Sequence, residues 1–443
     1  MLECYQDIIA TVSATIAQSF LSNEESLLKR SIFLDADIAE ILRQAGLKTT
    51  LIILEETLEN CVKKKQSEGL VIQRKPTIQY NVIFGLIEMK SPYLQTPGNN
   101  AKPLTDEMRI THRGSGVTVN RALTDFGIVE SFCHASERSA EHYKYDIGPS
   151  AVSRVTKQIA QEALEYNETI LADAGQKYGM IDDDKELIGP LLIELDGCVI
   201  RTAVFAPIEN TEETSPIMNP PKKGKTVNWR DVRIGLTRPL GAASKTYVGM
   251  MSSYPEVAGL LFDASVMVGM TPDTEVIGVA DGGTGLKEEL ENQFADLQFI
   301  LDKTHLKDHL YETAKASGIP GKERQEWVSS RLKDISEGVV GRIKEELEQE
   351  YELEPDPRLK RLIGYLTRFY NALNYDEFKK KEYPIRSGEI ESAHKSVPQK
   401  RFKPPGASWH PDSVNPMPAL RVLRADDWWK DFWNERTERK LAA

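Results

Sequence analysis

The sequence has few cysteines and no long apolar run, and each absence excludes a class of protein. Its four cysteines, Cys4, Cys61, Cys133 and Cys198, are scattered through 443 residues without paired spacing. This argues against a disulfide framework and against a zinc knuckle. No run of about 18 apolar residues occurs, and the first residues lack a basic segment followed by an apolar block. We therefore expect a cytoplasmic protein with no membrane partner and no secretory signal.

An excess of positive charge is also missing. The formal net charge is −11, from 56 lysines and arginines against 67 aspartates and glutamates, which is unfavourable for binding phosphates. Basic residues are nevertheless clustered at 63–65, 222–233 and 395–403, so a nucleic-acid partner is not excluded. The acidic run at 345–350 is typical of a solvated helix face.

Two apolar, strand-like runs each carry an aspartate. The run at 191–200 contains Asp196, and the run at 275–280 delivers Asp281 to a glycine-rich turn that opens a helix. Burying an ionised carboxylate is costly unless it is paired. A divalent cation held between the two aspartates would stabilise both, and a third acid would be needed to complete such a site.

The order of predicted elements around these aspartates indicates an α/β fold. Three strand candidates follow one another without intervening helices, which favours an antiparallel meander, and helices and strands alternate afterwards. This is the order of a ribonuclease-H-like core with a mixed sheet, whose first strand carries one catalytic aspartate and whose fourth strand ends in another. The candidates are strands at 190–205, 231–238 and 245–251, a helix at about 255–269, the strand ending at Asp281, a helix from Gly285, a strand at 297–302 and a helix after His305.

The remaining sequence adds helical regions on both sides of this core. We divide the chain into an N-terminal helical segment (1–75), a β-hairpin and loop (76–117), a helix-turn-helix-like DNA-binding region (118–188), the first part of the catalytic core (189–311), a helical insertion (312–385) and the last catalytic helix with a tryptophan-rich tail (386–443). The N-terminal helices are interpreted as a scaffold or a dimerising segment.

The predicted DNA-binding region contains a tight glycine turn at 146–150. The helix expected at 149–163 presents Ser153, Arg154 and Lys157 on its polar face, as a recognition helix would. A plain surface helix of a bundle explains the same pattern.

A third acid is available near the C-terminus. Glu389 and Glu391 both lie at the start of a helix predicted within 384–395. The residues alone leave open which of them would join Asp196 and Asp281.

Taken together, these residues resemble the DDE transposases of bacterial insertion sequences, specifically the ISKra-type group, whose wider relatives include the Mutator-like and hAT transposases. The resemblance covers roughly residues 75–440, and 85 and 110 residues separate the successive acids. It is carried by Leu195-Asp-Gly197, Ala280-Asp-Gly282, Asp302-Lys-Thr-His305, Ser387-Gly-Glu-Ile-Glu-Ser392, Pro418-Ala-Leu-Arg421 and Trp429-Lys-Asp-Phe-Trp433. Relatives often carry paired cysteines after the N-terminal hairpin, and this chain has none at 91–97.

The resemblance implies an enzyme that binds terminal inverted repeats and catalyses DNA strand cleavage and strand transfer. Asp196, Asp281 and Glu391 would be its catalytic residues and metal ligands, with Glu391 preferred to Glu389 by the family's pattern. Two Mg²⁺ ions, with Mn²⁺ as a substitute, would be the cofactors. Asp302 would have a supporting role, as would His305. The partners would be transposon ends and target DNA, and a homodimer or larger assembly would hold two ends.

Two other functions fit parts of the sequence. Asp281-Gly-Gly-Thr-Gly285 also resembles the phosphate-binding turn of actin-like ATPases and sugar kinases, but the segment after Leu195 supplies no second loop rich in serine and threonine. A domesticated DNA-binding protein that has lost catalysis is the other alternative. The tail tryptophans, Trp409, Trp428, Trp429 and Trp433, either stack on unpaired bases or pack onto the domain.

Overall fold

The computed structural model describes residues 5–22, 29–180, 189–207 and 223–442. It is a mixed α/β structure that divides into two compact units. Unit 1 comprises residues 1–127 and 131–155, and unit 2 comprises 128–130 and 156–443. Among the described residues, no helix combines the length and the apolar composition that crossing a bilayer requires.

Unit 1 is built from helices and two small sheets. In one sheet β1 pairs with β4 and β4 with β5, all antiparallel; in the other, β2 pairs antiparallel with β3 and parallel with β6. Its elements are α1 (Gln6–Leu21), a 3-10 turn (Ser31–Phe33), α2 (Leu34–Ser67), β1 (Val71–Arg74), β2 (Thr77–Val82), β3 (Gly85–Lys90), β4 (Tyr93–Thr96), β5 (Asn99–Ala101), α3 (Pro103–Asp106), β6 (Gly114–Ser115), α4 (Val117–Gly127), α5 (Phe132–Tyr143) and the start of α6 (Pro149–Gly175).

One apolar core joins the helical and β parts of unit 1. Leu58 and Val62 on α2 belong to the same buried cluster as Ile78 and Ile87 of the hairpin. The predicted hairpin is confirmed, with Gly85 at its bend at a φ of 145°. Within the region predicted as a hairpin and loop (76–117), Asn99–Ala101 forms a further strand, β5, by pairing with β4 around Gly98.

Unit 2 is organised around a five-stranded mixed sheet. The strand order is β11-β10-β7-β8-β9. Strands β7, β8 and β9 are antiparallel neighbours, whereas β10 runs parallel to β7 and β11 parallel to β10. The strands are β7 (Leu191–Pro207), β8 (Lys223–Pro239), β9 (Thr246–Met250), β10 (Val276–Ala280) and β11 (Gln298–Leu301).

The predicted meander is therefore confirmed, and so is the alternation that follows it. One strand is longer than expected: β8 begins at Lys223 instead of near 231, because it pairs with β7 over its whole length. Residues 225–230 of β8 are exposed, so the pairing of β8 with β7 holds them in the strand without burial.

Helices fill the rest of unit 2. Residues 312–385, expected to be charged helices, are mainly helical, and the helix expected around Glu389 is present as α14. The helices are α7 (Tyr254–Met267), α8 (Leu286–Gln293), α9 (Lys303–Ala316), α10 (Gly321–Ser336), α11 (Val340–Leu353), α12 (Pro357–Arg368), α13 (Tyr375–Lys380), α14 (Gly388–His394), α15 (Lys400–Phe402), α16 (Pro411–Val414), α17 (Pro416–Ala425) and α18 (Trp429–Ala442), with a 3-10 turn at Tyr370–Ala372 and a π-helical turn at Lys395–Gln399.

Helices α7 and α14 lie on opposite faces of the sheet. A Cβ at Gly235 of β8 would meet Leu261 of α7, and Gly235 pairs with Leu195. The neighbouring side chain, Glu194, accepts a hydrogen bond from Ile390 of α14. Because side chains alternate along a strand, Glu194 and Asp196 share the face that α14 covers.

Candidate active site at the ends of the central strands

Asp196 and Asp281 occupy equivalent positions on neighbouring parallel strands. In the register between β10 and β7, Val279 lies opposite Glu194, and each aspartate follows its strand partner by two residues. Adjacent strands are about 4.8 Å apart. The Asp281 carboxyl is close enough to contribute to a raised pKa of Asp196. The structure therefore brings the first two predicted acids together.

Each of these carboxyl groups has one oxygen bound to a nearby backbone amide. The N–H of Gly197 donates to Oδ1 of Asp196 at 2.6 Å, and the N–H of Gly283 donates to Oδ1 of Asp281 at 2.9 Å. Oδ2 of Asp281 has no hydrogen-bond partner among the described residues. Oδ2 of Asp196 faces His394. One oxygen of each carboxylate is thus left for a ligand.

His394 is the nearest side chain to Asp196 that the sequence did not single out. Its Nε2 lies 3.4 Å from Oδ2 of Asp196, and only 4% of the side chain is exposed. Burial lowers the pKa of His394, although the carboxyl of Asp196 acts in the opposite direction. Burial also disfavours the charged form of Asp196 and therefore raises its pKa. A sequence signal existed, because His394 follows the apolar Ile390 by four residues and so lies on the buried side of the helix.

Asp302 is a structural anchor with four hydrogen-bond donors around it. Its Oδ1 accepts from the N–H groups of Thr304 and His305, which caps α9, and its Oδ2 accepts from the N–H and hydroxyl of Ser387. Burial alone would raise the pKa of Asp302, but the hydrogen bonds from Ser387, His305 and Thr304 outweigh it and lower the pKa. Asp302 therefore fixes the residue that precedes α14.

His305 carries one of the two backbone amides that Asp302 caps. Its side chain is half-buried, and its charge acts to lower the pKa of Asp196. A role for His305 in the reaction stays a prediction.

Glu194 anchors the first turn of α14 directly to β7. Its Oε2 accepts a 2.6 Å hydrogen bond from the N–H of Ile390, and its Oε1 is buried without a partner. Burial raises the pKa of Glu194 to about 8, against the effect of the Ile390 amide. The side chain is therefore neutral at pH 7 and acts as a structural hydrogen-bond acceptor.

The two candidate third acids have different surroundings. Both oxygens of Glu389 bind Arg238, at 2.7 and 3.0 Å, and Lys245 lies 2.8 Å away. Glu391 is exposed on the first turn of α14 and has no ion pair among the described residues. Glu389 is committed to a structural ion-pair network, which leaves Glu391 as the carboxylate available for a ligand.

Tyr254 lies beside both aspartate-bearing turns. Its hydroxyl is 3.7 Å from the positions that a Cβ would take at Gly197 and at Gly283. Arg233 stacks on the ring at 4.2 Å from its centroid. Burial raises the pKa of Tyr254, and the carboxyl of Asp281 raises it further. The tyrosine is thus a neutral hydroxyl next to the acid pair.

Helix α12 covers the glycine turn after Asp281. A Cβ at Gly282 would lie 2.2 Å from the hydroxyl oxygen of Tyr365, so only glycine fits there. Arg368 lies 3.5 Å from the carbonyl oxygen of Gly283 and is held by both oxygens of Glu288. The charged helices between β11 and α14 therefore form one wall of the site.

Hard carboxylate oxygens in this arrangement suit Mg²⁺ or Mn²⁺. Asp196 and Asp281 are like charges at adjacent positions, a pair that a cation between them would stabilise. In the part of the chain that the structure describes, no three His, Cys, Asp or Glu side chains are grouped as metal ligands. The role of Glu391 as a third ligand stays a prediction.

The predicted DNA-contacting residues lie on α6. Arg154 is exposed and donates a 2.7 Å hydrogen bond to the carbonyl of Arg113, while Ser153 and Lys157 are half-buried. The helix does not end near 163 but continues to Gly175. Contact of these three residues with DNA stays a prediction.

The tail tryptophans mainly pack against the protein. Trp409, Trp429 and Trp433 are buried, and Trp428 is half-buried. Trp409 is paired through its backbone with Arg201 of β7, and Trp429 contacts Trp433 edge to face at 5.7 Å. The packing alternative is confirmed for the three buried residues.

No model of a protein family matches the chain, and no curated protein matches it significantly.

Proposed function

We propose that the chain is a DDE transposase of an insertion sequence, of the ISKra-type group, that binds terminal inverted repeats and catalyses metal-dependent DNA strand cleavage and strand transfer. The observation that carries this proposal is the pairing of Asp196 and Asp281 on adjacent parallel strands. A polynucleotidyl transferase needs such a carboxylate pair to hold the cations that act on a phosphodiester.

The sheet supports a ribonuclease-H-like core. Its strand order, β11-β10-β7-β8-β9, and its directions are those of that fold, with the aspartates on the first and fourth strands in sequence. The helices between β11 and α14 then correspond to the proposed helical insertion.

Asp196, Asp281 and Glu391 would hold the metal ions. Mg²⁺ would supply activation of a water or a 3′-hydroxyl as nucleophile and neutralise charge on the leaving oxygen. The chain's own contribution is positioning: the Gly197 and Gly283 amides orient the two aspartates, and α14 carries Glu391 on an anchored turn. His394, buried beside Asp196, restricts how that carboxyl can rotate.

The kinase-like alternative is less compatible with the glycine turn. A phosphate-binding turn must leave its backbone amides open to the ligand. Here the Gly283 amide is already bound to Asp281, and Tyr365 fills the space over Gly282. ATP hydrolysis in the absence of DNA would nevertheless revive this alternative.

The proposal is tested by Asp196→Asn and Asp281→Asn on DNA carrying the element's own ends. Each variant should lose cleavage with Mg²⁺ or Mn²⁺ by about a thousandfold or more, since several kcal/mol of transition-state stabilisation are lost. Binding to the same DNA should remain. Asp412→Asn, at a residue with 87% of its side chain exposed, is the matched control. Cleavage that persists in either site variant would refute the assignment.

Two further parts of the proposal follow from the reaction. Two transposon ends must be held at once, so the active complex would contain at least two copies of the chain. The DNA substrate also makes the cytoplasm the expected location.

A further inference from the structure

A groove runs between α9 and α12 beside the candidate active site. Its volume is about 670 Å³. It is lined by residues from both helices, namely His309, Glu312, Thr313, Lys315, Ala316, Arg358, Arg361, Leu362 and Tyr365. A groove of this size can hold several linked chemical groups of a ligand.

Positive charge dominates the lining. Lys315, Arg358 and Arg361 are all exposed, and none has an ion-pair partner among the described residues. Glu312 is the one acidic residue of the lining. Arg368, on the same helix as Arg358 and Arg361, is by contrast paired with Glu288. Three cations without a carboxylate partner that line one groove fit a polyanion.

One end of the groove meets the glycine turn. Tyr365 lines the groove, and its hydroxyl also fills the space over Gly282, next to Asp281. The ring of His309 lies 4.3 Å from the ring of Tyr365. A chain-like ligand in the groove would therefore end beside the turn that follows Asp281.

The length of the groove matches a short stretch of nucleic acid backbone. From His309 to Ala316, α9 rises by about 10 Å. Phosphates follow one another at about 3.4 Å of axis per strand in duplex DNA. A duplex lying along α9 would therefore present about three phosphates of one strand to the groove.

We propose that this groove binds the phosphate backbone of the DNA strand that leads into the active site, through Lys315, Arg358 and Arg361. The identity of that strand as the substrate rests on the proposed function. Binding of a DNA backbone to these cations is independent of the proposed function, since such binding requires no metal and no cleavage.

The test is the salt dependence of DNA binding, measured by fluorescence anisotropy with a mixed-sequence duplex of about 40 base pairs in EDTA. The full chain is compared with Lys315→Gln/Arg358→Gln/Arg361→Gln. Each lost phosphate contact should reduce the slope of log K against log salt by about 0.9. We expect the triple variant to lose about two to three units of slope and to bind at least tenfold more weakly at low salt.

Two controls separate a local effect from a general loss of charge. Lys322→Gln/Lys380→Gln/Lys381→Gln removes the same charge from exposed residues outside the groove and should change the slope by much less. Arg358→Lys/Arg361→Lys keeps the charges and should keep the slope. Equal thermal midpoints would establish that the variants are folded.

The outcomes distinguish the two proposals. Equal slopes for the groove and control triple variants would overturn the groove assignment, whether or not the wild-type chain cleaves DNA. Absence of cleavage by the wild-type chain, together with a slope lost only in the groove variant, would overturn the transposase proposal and leave the groove as a DNA-binding site.

Discussion

The backbone N–H of Ile390 donates a 2.6 Å hydrogen bond to Oε2 of Glu194, a residue 196 positions earlier in the chain. This contact ties the first turn of α14 to the beginning of β7. Asp302 makes a second tie through Ser387, immediately before the helix. The positions of Glu391 and His394 therefore depend on two carboxyl groups that are not themselves ligands.

The first prediction concerns the Glu194 tie. Glu194→Gln keeps an acceptor of the same shape, and since the pKa of about 8 makes Glu194 neutral at pH 7, we expect stability and DNA cleavage close to wild type. Glu194→Ala leaves the Ile390 amide buried without a partner and opens a cavity, at a cost of about 2–4 kcal/mol. Urea titration and a cleavage assay measure both effects. Similar loss in both variants would contradict the structural role.

The second prediction separates the two glutamates of α14. Glu391→Gln should abolish metal-dependent cleavage while the free energy of unfolding stays within about 0.5 kcal/mol, because the side chain is exposed. Glu389→Gln should cost about 1–2 kcal/mol, because it leaves Arg238 and Lys245 without their shared carboxylate.

The cleavage rate per folded molecule decides between the two roles. We expect Glu389→Gln to retain most of the wild-type cleavage rate per folded molecule. The opposite pattern, with cleavage lost only in Glu389→Gln, would transfer the ligand role to Glu389 and refute the assignment to Glu391.

Local pattern was enough to predict the elements that carry the acids. Apolar runs followed by Asp-Gly predict the strands, with Asp281 just after the end of β10 and Asp196 inside β7, which continues to Pro207. The separation of 85 residues between the two aspartates equals the offset of the β10–β7 register. The sequence also predicted the helix that carries Glu391. These strands and this helix depend on residues that are neighbours along the chain, so a local sequence pattern can predict them.

Tertiary contacts were not predictable in the same way. One such contact is the ion pair between Glu389 and Arg238, which lie 151 positions apart. Another is the hydrogen bond from Ser387 to Asp302, which lie 85 positions apart. No local spacing encodes these contacts. Asp302 was predicted as a supporting site residue, whereas its four hydrogen bonds make it an anchor.

The third prediction concerns this anchor and its dependence on pH. Asp302→Ala should cost about 3 kcal/mol, since a helix cap is lost and the buried Ser387 donors lose their partner. The pKa of Asp302 is lowered in the folded state. The ionised Asp302 carboxylate therefore stabilises the folded state at pH values above its unfolded pKa near 3.9. This stabilisation is lost as the pH falls through the folded pKa of Asp302.

The measurement is the difference in unfolding free energy between the wild type and Asp302→Asn from pH 3 to pH 7. This difference should shrink below about pH 4. Ser387→Ala removes one of the four donors and should cost about 1 kcal/mol. A difference that grows as the pH falls would contradict the assignment.

The fourth prediction concerns Asp426, which accepts the N–H of Tyr247 at 3.0 Å. Burial raises the pKa of Asp426 to about 8. A carboxyl group whose pKa is raised on folding contributes stability that is fully present below its pKa in the unfolded chain, near 3.9. That contribution is lost as the pH rises through its pKa in the folded protein. Wild-type stability should therefore decline between about pH 4 and pH 8, and Asp426→Asn, which cannot ionise, should remove this decline.

Thermal midpoints at pH 5 and pH 8 measure the effect. We expect Asp426→Asn to gain roughly 1–3 kcal/mol relative to the wild type between these values. Asp412→Asn, at an exposed aspartate, is the control and should follow the wild type. An unchanged pH profile in Asp426→Asn would contradict the prediction.

The fifth prediction concerns the contact between Gly282 and Tyr365. A methyl group at 282 would lie 2.2 Å from the Tyr365 hydroxyl oxygen and 2.3 Å from the ring, far closer than atoms can pack. Gly282→Ala should therefore destabilise the protein by about 1–3 kcal/mol or more and displace the turn that holds Asp281. Tyr365→Leu should also destabilise it, because its ring packs against Phe369 and His309.

The double variant distinguishes a direct clash from independent damage. If the tyrosine ring causes the cost at 282, the combined loss should be smaller than the sum of the single losses by at least about 1 kcal/mol. Gly259→Ala is the matched control, because its Cβ would meet no atom within 4 Å inside a helix, and there alanine should be neutral or stabilising. Strict additivity in the double variant would mean that the α12 wall does not restrict the Asp281 turn. In that case the position of α12 beside Asp196 and Asp281 would have no effect on cleavage.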